Sequence, residues 1–232
     1  MDHIVEDFNQ RVSEIDSYLK VIALLSENCT RVVKTGQLRR RERQVDREAL
    51  KVMRATVMLM LYNLVESSIR SSFSFLYEEI NSSEKTLEDV TTKIQNEWIK
   101  QQFVNVEPIS SNQVTYRDLT FKIINEVLRN EALHFDPEKL PISGNIDARQ
   151  VRKLAERHNI HNPIHYKARE GAELLTVKNQ RNSLSHGNST FTEVGNMYTV
   201  DDLQRIKKQV VTYLKSTLKN INRYADKTQY AK

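Results

Sequence analysis

Val57-Met58-Leu59-Met60-Leu61-Tyr62-Asn63-Leu64-Val65 is apolar on nearly every side of a helix. The helical pattern around it extends from about Val45 to Ile80. Unbroken, a helix of that length spans roughly 50 Å. An element hydrophobic all round is buried, so this stretch predicts the central core helix of an all-α chain. Three polar residues intrude at spacings of three and four, which places Asn63, Glu66 and Arg70 on one face. Polar groups on a buried helix need partners. They form either an internal structural network or a face turned toward a functional site.

Composition agrees with a helical reading. The chain has 232 residues, enough for one large domain or two small ones, and only 5 glycines and 4 prolines, too few for a turn-rich β architecture. No window approaches 18 consecutive apolar residues, so no membrane span is expected. The first residues, Met1-Asp2-His3-Ile4-Val5-Glu6-Asp7, are acidic and amphipathic, unlike a signal peptide. Cys29 is the single cysteine, which excludes an internal disulfide framework and a multi-cysteine zinc site. A reducing, cytoplasmic location follows as the expectation. The net charge of +5 and pI of about 9.2 suit an anionic partner.

Outward from the core helix, apolar spacing predicts a first helix over 3–28, followed by a break at 28–36 and the basic run Arg39-Arg40-Arg41-Glu42-Arg43. Such runs are usually solvated; the functional alternative is a phosphate-contacting patch. Ser83 is expected to cap a third helix over 84–103, with Trp98 and Phe103 on its apolar side. A loop around Pro108 and a fourth helix over 116–134 come next. Residues 136–166 read as an inserted basic lobe within a single domain covering 1–232, because thirty residues bury too little surface to fold alone. The lobe carries a short helix opened near Asp147, and its Arg149, Arg152, Lys153 and Arg157 are candidate RNA contacts. A helix from Ala168 to Gly187, an extended turn within 191–200 and a last helix over 200–224 complete the chain, with a tail expected to fray.

The helix ending at Gly187 carries Arg181-Asn182-Ser183-Leu184-Ser185-His186-Gly187. Asn182 and His186 are four apart and share a face. Arg181 lies five before His186, about 140° round the axis. One straight helix therefore does not bring the arginine and histidine to a point: either its end is distorted, or a second copy supplies the missing group. With 18 arginines and 6 histidines, an Arg–His pair at such spacing also arises by chance, as in Arg129–His134 and Arg152–His158. The 181–187 copy differs in having small or apolar residues between its polar ends, a closing glycine and a well-formed helix after it.

That motif, near the end of an all-α chain and followed by one last helix, resembles the signature of the HEPN superfamily. The long second helix with Tyr62-Asn63-Leu64-Val65-Glu66, and the segment Ser143-Gly144-Asn145-Ile146-Asp147, are most similar to its MAE-type HEPN-like nuclease branch. The resemblance implies a bundle of four to five long helices with a small helical insertion, assembled as a two-fold dimer. It implies a metal-independent endoribonuclease without cofactor, with its cleft at the dimer interface, acting as a toxin or anti-phage effector. A cognate antitoxin or neighbouring defence protein is then an expected partner beside the RNA substrate. Carried over by position, Arg181, His186 and Asn182 are the catalytic residues, with Glu66 and Asn63 in support.

The residue types suit that chemistry. A histidine can take the proton of an RNA 2′-OH near neutral pH. A guanidinium fork matches the charge that builds on phosphoryl oxygens. The motif contains no Asp or Glu to hold a metal, and the expected products are a 2′,3′-cyclic phosphate and a 5′-OH. His158, His161 and His165 have spacings that could hold a metal, but Asn162 and Pro163 break the helix between the last two. The alternative function is a non-catalytic helical module that binds RNA or a partner protein.

Overall fold

The computed structural model describes residues 1–27, 31–33, 42–103 and 113–232. The expectations for Cys29, Arg39–Arg41 and the loop around Pro108 fall outside them. Among the described residues there are eight α-helices: α1 (Asp2–Ser26), α2 (Arg47–Ser82), α3 (Thr92–Gln102), α4 (Gln113–Leu128), α5 (Ala148–Arg157), α6 (Ala172–Ser185), α7 (Phe191–Asn196) and α8 (Val200–Asp226). A small ribbon, β1 (Arg31–Val33) against β2 (Glu42–Gln44), was not expected; it pairs antiparallel with Arg31 opposite Gln44. The fold is an all-α bundle, and no helix among the described residues is long and apolar enough to cross a membrane.

The bundle is centred on α2. Met58, Leu61, Leu64, Ile69, Phe73, Leu76 and Ile80 are buried along its length, and α1, α6, α7 and α8 lie against it. Each such side chain contributes about 1.5–3 kcal/mol relative to exposure. Asp46 opens α2 by accepting from Glu48 N–H at 2.9 Å. The residues of α5 that face inward, Val151, Leu154 and Ala155, belong to the same core.

Several local expectations are corrected. Ser83 does not start a helix. It ends α2, and the cap downstream is a reciprocal box between Thr86 and Asp89 around a short turn. The fourth helix stops at Leu128 rather than 134, because Asn130 takes a left-handed conformation with φ of 55°. Residues 191–196 are helical, opened by a Thr190–Glu193 box whose partners the extended reading passed over. The tail does not fray: Tyr230 is buried, Thr91 N–H donates to its carbonyl at 2.9 Å, and Ala231 bridges Val90. The helix expected from Ala168 begins only at Ala172, because Arg169, Glu170 and Gly171 are all left-handed. Gly171 is required there. A Cβ would lie 2.6 Å from the Tyr213 ring and 2.7 Å from the Ala148 Cβ.

His158 is fully buried at the end of α5. Its Nδ1 donates to Leu154 O at 2.8 Å, and its Nε2 accepts from the Tyr77 hydroxyl at 3.1 Å. Burial pushes its pKa below the ordinary 6.5, so the folded ring stays neutral. The unfolded chain takes up that proton near pH 6.5 and the folded chain does not. Stability is therefore full above pH 6.5 and declines below it. Glu97 and Asp147, whose pKa values lie below their ordinary 4.5 and 3.8, add their losses only at lower pH. A fall in the urea midpoint between pH 6.5 and 5, abolished in His158→Gln, is the expected signature.

Gly195 lets α7 touch the start of α2, since a Cβ there would overlap the Lys51 carbonyl. Gly195→Ala is expected to cost at least about 2 kcal/mol, read as a lowered thermal midpoint.

Candidate functional site

The site is built where α2, α6 and the segment 142–147 meet. Tyr62 lies on the face of α2 that meets this segment. Its hydroxyl donates to Gly144 O at 2.6 Å and accepts from Ile146 N–H at 3.1 Å. Burial of this hydroxyl pushes its pKa up. The ring lies under Arg181, whose guanidinium carbon stands 3.9 Å from the ring centre. Arg181 Nη2 donates to the same Gly144 carbonyl at 2.6 Å, and Nη1 donates to Asn182 Oδ1 at 2.8 Å. Asn182 in turn donates to Asn145 Oδ1 at 2.7 Å.

Glu66, one turn after Tyr62, joins this cluster. Its Oε1 lies 3.4 Å from Arg70 Nη2 and its Oε2 lies 3.5 Å from Arg181 Nη2. Arg70 also reaches Ile142 O at 3.4 Å. Of the polar face expected on α2, Glu66 and Arg70 thus point to the site. Asn63 does not join them: it is exposed and makes no side-chain hydrogen bond to a described residue. Tyr62 was quoted in the sequence only as part of a motif. Its role as the floor beneath Arg181 carried no separate signal there.

Below this, Lys178 pairs with Asp147 at 2.6 Å. Burial works against the Asp147 carboxylate, but the bonds from Lys178 and Gln150 N–H outweigh it and its pKa is lowered. The segment is therefore fastened to α6 at Gly144, Asn145 and Asp147.

His186 caps the C-terminus of α6 and is exposed. Gly187 N–H donates to Leu184 O at 3.3 Å and Asn188 N–H to Ser183 O at 2.9 Å, with Gly187 at φ of 70°. These crossed bonds are the Schellman stop that the glycine announced. A Cβ at Gly187 would meet nothing within 4 Å, so the surface beside His186 is open. The His186 ring has no hydrogen-bond partner among the described residues. Because α6 is regular through Ser185, it does not swing Arg181 and His186 together. The angular shortfall stands within one protomer.

The two decoy pairs are told apart by geometry. Arg129–His134 lies past the end of α4, in a turn where Ala132 bridges Thr86. In Arg152–His158 the histidine is buried. His165 is likewise engaged, accepting from Lys167 N–H at 3.2 Å and stacking on Tyr166.

The four expected RNA contacts divide. Arg149, Arg152 and Lys153 are exposed on α5. Arg157 forks onto the buried Glu97, with Nε at 2.9 Å from Oε1 and Nη2 at 2.5 Å from Oε2. It holds α5 to α3 and is not presented to a ligand.

A family model for MAE_28990-like HEPN matches residues 1–230. The chain belongs to this HEPN family. No curated protein and no solved structure matches it. The match spans α1 to α8, so the Tyr62–Gly144–Arg181 cluster and the His186 turn both lie within the matched residues.

Tyr62→Phe keeps the ring beneath Arg181 and removes both hydroxyl bonds. It is expected to cost about 1–3 kcal/mol, read as a lowered urea midpoint, because Gly144 O and Ile146 N–H lose a buried partner.

Proposed function

We propose that this HEPN domain is an endoribonuclease that cleaves RNA through Arg181 and His186 contributed by two copies of the chain. The observation that carries the reading is the contrast between those two groups. Arg181 is clamped by protein, with Nε left without a protein acceptor among the described residues. His186, in contrast, stands free at an open helix end. Across a two-fold axis, the exposed His186 of each copy would meet the other, and one imidazole would act as base while its mate acts as acid. Exposed Phe191 at the start of α7 and Met197 just after its end offer apolar surface for that contact.

In the reaction the first imidazole takes the 2′-OH proton. The 2′-oxygen attacks the adjacent phosphorus, and the bond to the 5′-oxygen breaks. The second imidazole returns a proton to that leaving oxygen. The products are a 2′,3′-cyclic phosphate and a 5′-OH. Arg181, oriented by Tyr62 and Asn182, faces the charge on the phosphoryl oxygens. Glu66, the carboxylate that reaches Arg181, is shared between two guanidinium groups, which fits a site run by nitrogen groups rather than by a metal. A role as a toxin or anti-phage effector held by an antitoxin rests on the family resemblance.

A second reading has its own observation. Arg181 already holds Gly144 O and Asn182 Oδ1, as a purely structural arginine would in a module that binds RNA or a partner without cutting it. Incubation of a mixed RNA pool with EDTA separates the two. The nuclease reading expects cleavage by the wild type and a loss of about 10²–10⁴-fold in His186→Ala with folding kept. No cleavage by the wild type at any concentration favours the module. Products ending in a 3′-hydroxyl, or an absolute need for Mg²⁺, would sink the chemistry described.

A further inference from the structure

A second concavity lies along the N-terminal half of α6, before Arg181 and His186. It is an open cavity of about 530 Å³ between the start of α5, the left-handed turn at 169–171 and the first turns of α6. Four cationic side chains line it, Arg149, Arg152, Arg169 and Lys178, against the carboxylates of Asp147 and Glu170. Asp147 is already neutralised by Lys178. Arg149 and Arg169 are exposed and form no ion pair among the described residues. Arg152 donates to Glu170 O at 3.1 Å, which fixes its guanidinium at the rim. Gly171 provides no side-chain cap for α6, so the positive end of that helix also opens toward the cavity lining.

Next along the chain, His165 and Tyr166 stack with ring centres 4.6 Å apart, and Tyr166 is 78% exposed. Lys167 Nζ stands 5.8 Å from the Tyr166 ring centre, and Tyr166 is three residues before Arg169. Cationic side chains close in sequence to an exposed aromatic are the pairing that single-stranded nucleic acid uses, phosphate on the first and base on the second. A free anion has no use for the aromatic pair, and the three arginines left after Lys178 is paired with Asp147 favour a polyanion.

We propose that this cavity is a phosphate-binding subsite that holds the RNA backbone at a distance from the Arg181–His186 pair. This rests on the RNA reading above and adds to it a second point of attachment. The cavity lining follows α6 from Ala172 to Lys178, and Ala172 lies nine residues, about 13.5 Å along the axis, before Arg181. A single strand of several nucleotides reaches from the one to the other.

The test uses a labelled 2′-O-methyl oligoribonucleotide, which lacks the nucleophile and reports binding alone. Its affinity is measured against salt for the wild type, for Arg149→Ala/Arg169→Ala, and for Arg117→Ala/Arg129→Ala, which removes two exposed charges from the α4 region. The cavity variant is expected to bind at least tenfold more weakly. Its salt dependence should fall by about 1.4 in log–log slope, two phosphate contacts at about 0.7 each. The α4 variant should keep the wild-type slope. Unchanged affinity and slope in the cavity variant overturn the proposal, as does an equal loss in the α4 variant. Inorganic phosphate serves as competitor; if it occupies the cavity as tightly as the oligonucleotide does, the backbone assignment is overturned in favour of a free-anion site. Because the probe cannot be cut, failure of the nuclease reading leaves this result readable. If the protein cleaves, the cavity variant should raise KM for long RNA more than it lowers kcat.

Discussion

A single carbonyl organises the functional end of the molecule. Gly144 O accepts from the Tyr62 hydroxyl and from Arg181 Nη2, each at 2.6 Å. One donor comes from the core helix and the other from the helix that bears the HEPN motif. The connecting segment is thereby held between them, and α6 cannot rotate without breaking its bond to the segment that Tyr62 holds. A guanidinium stacked on a tyrosine and bonded at two nitrogens has lost most of its rotamer freedom before any ligand arrives. The same arrangement keeps the motif arginine rigid.

The His186 end follows a different logic. Its position is set by backbone bonds alone, the crossed pair at Gly187 and Asn188. Its side chain owes nothing to the core. One half of the motif is thus fixed through packing and the other through helix termination. The five-residue spacing that separates them around α6 is not repaired by any distortion.

Much of this was legible in the chain. The all-round apolar run of α2 gave away the core, because nothing but burial explains apolar or aromatic residues at all but Asn63 of nine successive positions. Asp147 as a cap and Gly187 as a stop were readable because each acts within a few residues of itself. Contacts between distant segments were not. Tyr62 and Gly144 are 82 positions apart, and no local pattern links them. Arg157 read as an RNA contact because its partner Glu97 lies on another helix. The tail read as loose because the strand-like bridge that pins Ala231 is made by Val90, far away in sequence. The left-handed turn before α6 was hidden for a related reason: Arg169 and Glu170 are not residues that announce such a conformation, and packing of Gly171 on Tyr213 forces it.

Glu66 divides one negative charge between Arg70 and Arg181. That makes Arg70 a competitor for the carboxylate, although it is no part of the signature motif. Were Arg70 lost, the carboxylate would swing wholly onto Arg181 and quench the very charge a phosphate would seek. The motif's electrostatic strength is thus governed from a helix that does not carry it, and a chain with every signature residue intact could still be silent.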